Sequence, residues 1–266
     1  MFSKWQLAQK YLRYYLTSSN GKGHGIHSPF VFHFITKILN DTSFYPEYEK
    51  VENLRSRLLA DKTELTIEDF GAGSVVNKTN KRTVAAIAKN AAKPKKYGQL
   101  LFRMAKNYKS QYAIELGTSL GLTTSYLSLG INDTGYVSTV EGAKSVANVA
   151  RYNFKSLDLK NITLYNEPFG DCISELQEAY PHIDLLFVDG NHRKEPTIKY
   201  FNDFLGYMSK EGMMIFDDIH WSKEMEQAWE TIKAHPAVRC TINLFFIGIV
   251  FFREEFMEKQ HFNIRF

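Results

Sequence analysis

Cysteine is nearly missing: the 266 residues hold only Cys172 and Cys240. One disulfide is arithmetically allowed, but a cysteine framework and a Cys-rich metal site are excluded, and a reducing cytoplasm is the expected setting. Long apolar runs are missing too. The most apolar stretch, 242–252, contains Asn243 and falls short of the roughly 18–20 residues of a membrane-spanning helix. The first fifteen residues lack the apolar core and small-residue cleavage site of a secretory signal, so no stable membrane span is expected. Internal repeats and low-complexity segments are absent as well. What is present is 44% hydrophobic residues, with 20 Phe and 15 Tyr, enough large apolar surface to build an ordered core.

Charge is divided along the chain. Residues 1–110 hold 19 Lys and Arg against 8 Asp and Glu, and residues 111–266 hold 14 against 21. Either the basic part attracts an anionic partner or the two parts attract each other. Texture divides in the same place. The first part has helical spacing over 5–17, after Ser28–Pro29, and over 46–60, 82–91 and 97–109. From residue 111 short apolar runs (112–116, 135–140, 162–165, 184–188, 213–217) alternate with helical ones, at the spacing of βαβ units in a parallel sheet. The final run, VRCTINLFFIGIVFFR, reads as an antiparallel hairpin at the sheet edge. These patterns predict an α/β, Rossmann-like, seven-stranded and mostly parallel sheet. They divide the chain into a mostly helical N-terminal region, 1–92, and an α/β domain, 93–266.

Two glycine-rich turns stand out. Asp69-Phe70-Gly71-Ala72-Gly73-Ser74 lacks a following strand that ends in an acid, so a structural turn is the simpler reading. Glu115-Leu116-Gly117-Thr118-Ser119-Leu120-Gly121 lies between a predicted strand and a predicted helix. The next strand ends at Glu141, whose carboxylate can accept two hydrogen bonds from a ribose diol. The G-x-G-x-x-G fingerprint is absent, so an adenosine ligand without a pyrophosphate fits better than NAD.

On these residues, 111–266 resembles the class I S-adenosylmethionine-dependent methyltransferases. It is most similar to the small-molecule O-methyltransferases of the catechol and caffeoyl-CoA type and to related bacterial proteins. AIELGTSLGLTT resembles the cofactor motif and VEG the ribose-binding acid motif. The resemblance implies S-adenosyl-L-methionine as cofactor. Glu115 would orient the methionine moiety or the loop, Gly117, Thr118, Ser119 and Gly121 would line the cofactor, and Glu141 would hold the ribose. Phe169, Gly170 and Asp171 would pass the adenine.

Three acids fall at predicted strand ends: Asp189 after one strand, Asp217 and Asp218 after another. Carboxylates converging there repel one another unless a cation or basic group intervenes, and hard oxygens suit Mg²⁺, Mn²⁺ or Ca²⁺. In the catechol-type enzymes acids at these strand ends bind a divalent cation. Asp189 and Asp217 match two ligands, and Asp218 stands where an asparagine is usual. Asp189 could instead serve the cofactor or cap a helix. His192 occupies the place of the family's lysine base, and His220 is a second candidate base or ligand. Arg193 and Lys194 could receive an anionic substrate. The Asn-Pro-Pro-aromatic motif of many nucleic-acid and protein amino-methyltransferases is absent.

The resemblance therefore implies O-methylation of a small hydroxylated substrate, metal-assisted. An RNA or protein methyltransferase docking through the basic N-terminal region is the alternative, and a non-catalytic adaptor the third. The aromatic stripe of Trp5, Tyr11, Tyr15, Phe30 and Phe34 is expected to be buried, either over the active site or in a homodimer interface.

Overall fold

The computed structural model describes residues 1–19, 21–67, 81–90 and 93–266. The Asp69–Ser74 turn lies outside the described residues. The chain forms two compact units, one of Met1–Thr42 with His182–Phe266 and one of Ser43–Pro181. The boundary expected at residues 92 and 93 falls inside the second of these units.

The unit of Ser43–Pro181 holds three parallel strands, β3 (Tyr112–Leu116), β4 (Tyr136–Val140) and β5 (Ile162–Tyr165), in that order. An antiparallel hairpin of β1 (Glu64–Thr66) and β2 (Lys81–Thr83) precedes them. Helices α3 (Pro46–Ala60), α4 (Val84–Asn90), α5 (Lys95–Asn107), α6 (Leu122–Gly130), α7 (Lys144–Ser156) and α8 (Ile173–Glu178) complete the unit. Val51, Leu54 and Leu58 of α3 share a buried cluster with Phe102, Leu120, Leu122 and Tyr126. Gly98 on α5 lets the Tyr126 ring approach, since a Cβ there would strike it. The Tyr126 hydroxyl reaches Glu52 at 2.7 Å.

The other unit carries five strands in the order β10 (Gln260–Asn263), β8 (Cys240–Asn243), β9 (Ile247–Phe251), β7 (Met208–Asp217), β6 (Ile183–Val188). β6 and β7 are parallel, and β9 runs antiparallel to both β7 and β8, so the expected hairpin is present. β10 adds a parallel partner to β8, so the described residues hold eight strands besides the β1–β2 hairpin where seven were expected. Its sequence, QHFN, is too short and polar to announce a strand. Helices α9 (Lys194–Leu205) and α10 (Lys223–Ala234) belong to this unit.

Helix α1 (Lys4–Thr17) starts where Ser3 and Gln6 form a reciprocal capping box, which satisfies two otherwise orphaned N–H groups. Its Lys10 binds Glu226 of α10 at 2.9 Å, and its Tyr11 ring meets Phe245 edge-on at 5.0 Å. Helix α2 (Pro29–His33) begins at the predicted Ser28–Pro29 start and runs into a wide-turned segment, Phe34–Leu39. The expected burial of the aromatic stripe is only partly met. Phe34 is fully buried and Phe30 packs against Phe251 and Phe256, but Trp5 is 72% exposed and Tyr15 46%. Trp5 lies on the helix face opposite Tyr14, the α1 residue that is buried, and Tyr15 lies about a quarter-turn from Tyr14.

Both cysteines are buried and free. Burial pushes their thiols up to about 11 for Cys172 and about 12 for Cys240, which leaves neither as a ready nucleophile.

Candidate functional site

The first cluster lies where β3 ends and α6 begins. The N–H groups of Gly117 and Thr118 both donate to the Val140 carbonyl, at 3.1 and 3.0 Å, which fastens the turn to the end of β4. Three residues of the turn take positive φ: Gly117 at 116°, Ser119 at 49° and Gly121 at 80°. Gly121 is also sterically fixed, because a Cβ there would run into the Phe154 ring and touch Ala150 on α7. Gly121→Ala is therefore expected to destabilise the protein by about 2–4 kcal/mol, from overpacking plus left-handed strain. Thermal unfolding checks this, and an unchanged midpoint would contradict it.

Glu141, just past β4, is the centre of this cluster. Oε2 accepts from the Ser119 N–H at 2.9 Å and Oε1 from the Ala143 N–H at 2.9 Å. Burial raises its pKa, and the two backbone hydrogen bonds pull it partly back. Each carboxylate oxygen accepts more than one hydrogen bond, so capacity remains for a diol. Glu115 plays a different part from the one facing a ligand. It is fully buried, and its Oε2 accepts from the hydroxyls of Thr124 and Thr139. Thr139 in turn meets the Thr118 hydroxyl at 2.6 Å. Glu115 thus braces the turn from beneath through Thr124, Thr139 and Thr118. Phe169, Gly170 and Asp171 form a turn after β5, closed by the Asp171 N–H on the Pro168 carbonyl at 3.0 Å.

Two residues that sequence reasoning missed fix these pieces. Asn166 Nδ2 donates to the carbonyls of Glu141 and Gly142 at 2.7 and 3.1 Å, joining the 166–171 loop to the Glu141 loop. Asn153 on α7, buried, donates to the Leu120 carbonyl at 2.9 Å. The hint in the sequence was an asparagine directly after a predicted strand and another inside an apolar helix face.

The second cluster belongs to the other unit. Asp189 follows β6, Asp217 ends β7 and Asp218 comes next with φ 53°. One ligand atom each from Asp189, His192 and Asp217 lie within 4.8 Å of one another. His192 Nε2 stands 3.8 Å from Asp189 Oδ1 and 4.0 Å from Asp218 Oδ2, too far for hydrogen bonds. Asp217 is 1% exposed and the others are partly open. Two carboxylates with an imidazole form a donor set that fits a divalent cation. Two of the three acids expected, Asp189 and Asp217, belong to this group with His192, and Asp218 adjoins it across the 4.0 Å to His192 Nε2.

His220 stands apart from this group, in contacts of its own. Its Nδ1 meets Glu226 at 3.0 Å, its Nε2 meets Asn243 Nδ2 at 3.1 Å, and its ring stacks on Phe245. With Lys10 on the same Glu226, both ring nitrogens serve a bridge between α1, α10 and β8. Arg193 is turned toward Asn191, binding its Oδ1 at 2.8 and 3.0 Å.

Residues 114–219 match the family model described as a methyltransferase domain. A curated relative, the uncharacterized protein R132 of Acanthamoeba polyphaga mimivirus, is 28% identical over 133 residues, which are 46% of this chain. The chain spans 58% of that relative's length. Two solved structures share the fold. The O-methyltransferase from Bacillus cereus, in complex with SAH, is 17% identical over 83% of this chain and 96% of its own, with a TM-score of 0.56. TomG from Streptomyces achromogenes, an O-methyltransferase involved in tomaymycin synthesis, in complex with SAM, is 16% identical over 62% of this chain and 82% of its own, with a TM-score of 0.54.

Proposed function

We propose that this chain, which carries a methyltransferase domain over residues 114–219, methylates a hydroxyl of a small substrate from S-adenosyl-L-methionine, with a divalent cation assisting. The observation that carries the reading is Glu141, a half-buried carboxylate at the end of β4, bound by a backbone N–H of the glycine turn. That is the arrangement a ribose diol needs at the edge of a parallel sheet.

Glu141 would accept from the ribose hydroxyls. Gly117, Thr118, Ser119 and Gly121 give the turn its close backbone approach, with Glu115 bracing it. Phe169, Gly170 and Asp171 would border the adenine. Transfer is an in-line displacement: the acceptor oxygen bonds the methyl carbon, the carbon–sulfur bond breaks, and neutral S-adenosylhomocysteine leaves. The residues need only align the reactants, exclude water and remove the acceptor's proton. Asp189 and Asp217 would hold the cation, with Asp218 adjoining. When bound, that cation would polarise the acceptor hydroxyl. Of these groups His192 would stay outside the ligation and take the acceptor's proton at Nε2, while Asp189 and Asp217 ligate. Lys194, beside this loop, would favour an anionic acceptor. The two free cysteines agree with a reducing, cytoplasmic setting, and among the described residues no helix is long and apolar enough to cross a membrane.

Calorimetry with S-adenosylhomocysteine, followed by labelled methyl transfer to a panel of phenols and vicinal diols, tests the reading. Binding and transfer to at least one hydroxyl are expected. Failure to bind the nucleoside would remove the cofactor assignment. Binding with transfer only to RNA, lost as salt is raised, would replace the small acceptor by a nucleic acid.

A further inference from the structure

Helix α1 has two apolar faces, and only one is used inside the fold. Leu7, Tyr11 and Tyr14 turn inward. Tyr14 is buried with its hydroxyl on the Ile264 carbonyl, and Ser19 pairs with Ile264 just beyond the helix. Trp5, Leu12 and Leu16 lie at i, i+7 and i+11, a single line on the opposite side. They are 72%, 58% and 68% exposed, and Tyr15 beside them is 46% exposed. A row of one Trp, two Leu and one Tyr in water is costly and calls for a partner.

The charges around the row identify the partner. Lys4 and Arg13 flank it on either side and are exposed, and the Arg265 guanidinium lies 4.6 Å over the Tyr15 ring. The helix sequence, KWQLAQKYLRYYLT, contains no carboxylate. A second copy of the same face would bring more cations and no acid to meet them. Anionic lipid headgroups supply the missing charge. Trp and Tyr prefer the interfacial depth, and the Leu side chains reach the acyl boundary. At 14 residues the helix is about 21 Å long, too short to span a bilayer and suited to lying in its plane.

We propose that α1 is a docking helix for an anionic lipid surface, inserting Trp5, Leu12 and Leu16 with Lys4, Arg13 and Arg265 on the headgroups. Docking would bring a catalytic-side loop with it. The Phe2 N–H donates to the Trp221 carbonyl at 3.0 Å, and Lys10 holds Glu226, so the segment after Asp217 and Asp218 is tied to the docked helix. The proposal goes beyond methyl transfer and stands whether or not the cation reading holds.

The test is sedimentation of the full chain with vesicles of phosphatidylcholine alone and with roughly 30% phosphatidylserine. Binding to the anionic vesicles, weak binding to the neutral ones and release by salt are expected. The double change Trp5→Ser and Leu12→Ser should abolish binding. Lys4→Glu with Arg13→Glu, which alters only exposed charges, should weaken it by at least about 30-fold, at about 1 kcal/mol per cation removed. Equal binding by both variants and the unchanged chain would overturn the proposal. So would absence of binding to anionic vesicles, or a dimer in light scattering that the Trp5→Ser and Leu12→Ser change dissolves.

Discussion

Glu141→Gln is expected to weaken S-adenosylhomocysteine binding by roughly 10–150-fold, the scale of lost charge-assisted hydrogen bonds. The substitution keeps the shape and removes the function twice over. Both carboxylate oxygens now accept a backbone N–H, from Ser119 and from Ala143. An amide nitrogen in either place sets donor against donor and loosens the turn proposed to line the cofactor. The ribose also loses an ionised acceptor. Calorimetry on the folded variant measures this, and affinity within twofold of the unchanged chain would place the nucleoside elsewhere.

The same residue gives a pH signature with two signs. Burial raises the Glu141 pKa in the folded protein. Ribose binding needs the carboxylate, so cofactor affinity should fall on acidification, beginning above the ordinary carboxylate range. Folding responds oppositely. A raised folded-state pKa means that the stability Glu141 contributes is fully present below its unfolded pKa and is lost as pH rises through the folded value. Unfolding midpoints of the ligand-free chain and of Glu141→Gln, followed across that range, should diverge as pH rises. Parallel curves would show that the burial has no energetic consequence.

The glycine turn after β3 and the acid after β4 were legible because their signals are local. A strand, a glycine turn, a helix and a strand-end acid follow one another in sequence, and backbone sterics alone ask for glycine where φ is 80° and a ring packs behind. Asn166 and Asn153 were not legible, because their partners, the carbonyls of Glu141, Gly142 and Leu120, are set by how loops meet in space. Glu115 was legible as important and not as buried: its environment is made by Thr124 and Thr139, nine and twenty-four positions away.

The same rule accounts for the rest. The βαβ strands and helices were read from periodicity and are present. β10 carries a polar sequence whose strand conformation comes from its pairing with β8. His220 resembled a catalytic histidine because it follows two acids, yet Glu226 and Asn243 take both its nitrogens, and neither partner is visible from the local motif. Trp5 and Tyr15 were expected to be covered, over the active site or by a second copy, on size alone. A helix with apolar residues on two faces can satisfy only one within its own fold, and periodicity does not say which.

Asp217→Asn is expected to remove Mn²⁺ binding by at least about 100-fold, since loss of a ligand should cost no less than loss of an outer-shell partner. Methyl transfer should fall by a similar or larger factor. The residue is 1% exposed, and asparagine has its shape, so the fold should persist and the change should act on charge and ligation. Electron paramagnetic resonance of bound Mn²⁺ reads the site without reference to turnover. S-adenosylhomocysteine affinity should be kept, because Glu141 and its turn are untouched. Chelation of the unchanged chain should reproduce the loss of rate, and added Mg²⁺ or Mn²⁺ should restore it. Full methyl transfer in the presence of chelator would remove the cation from the reaction. Proton removal would then rest on His192, whose Nε2 lies 3.8 and 4.0 Å from two carboxylate oxygens, and His192→Gln should then cost roughly 10²–10⁴ in rate, the range of a lost general base.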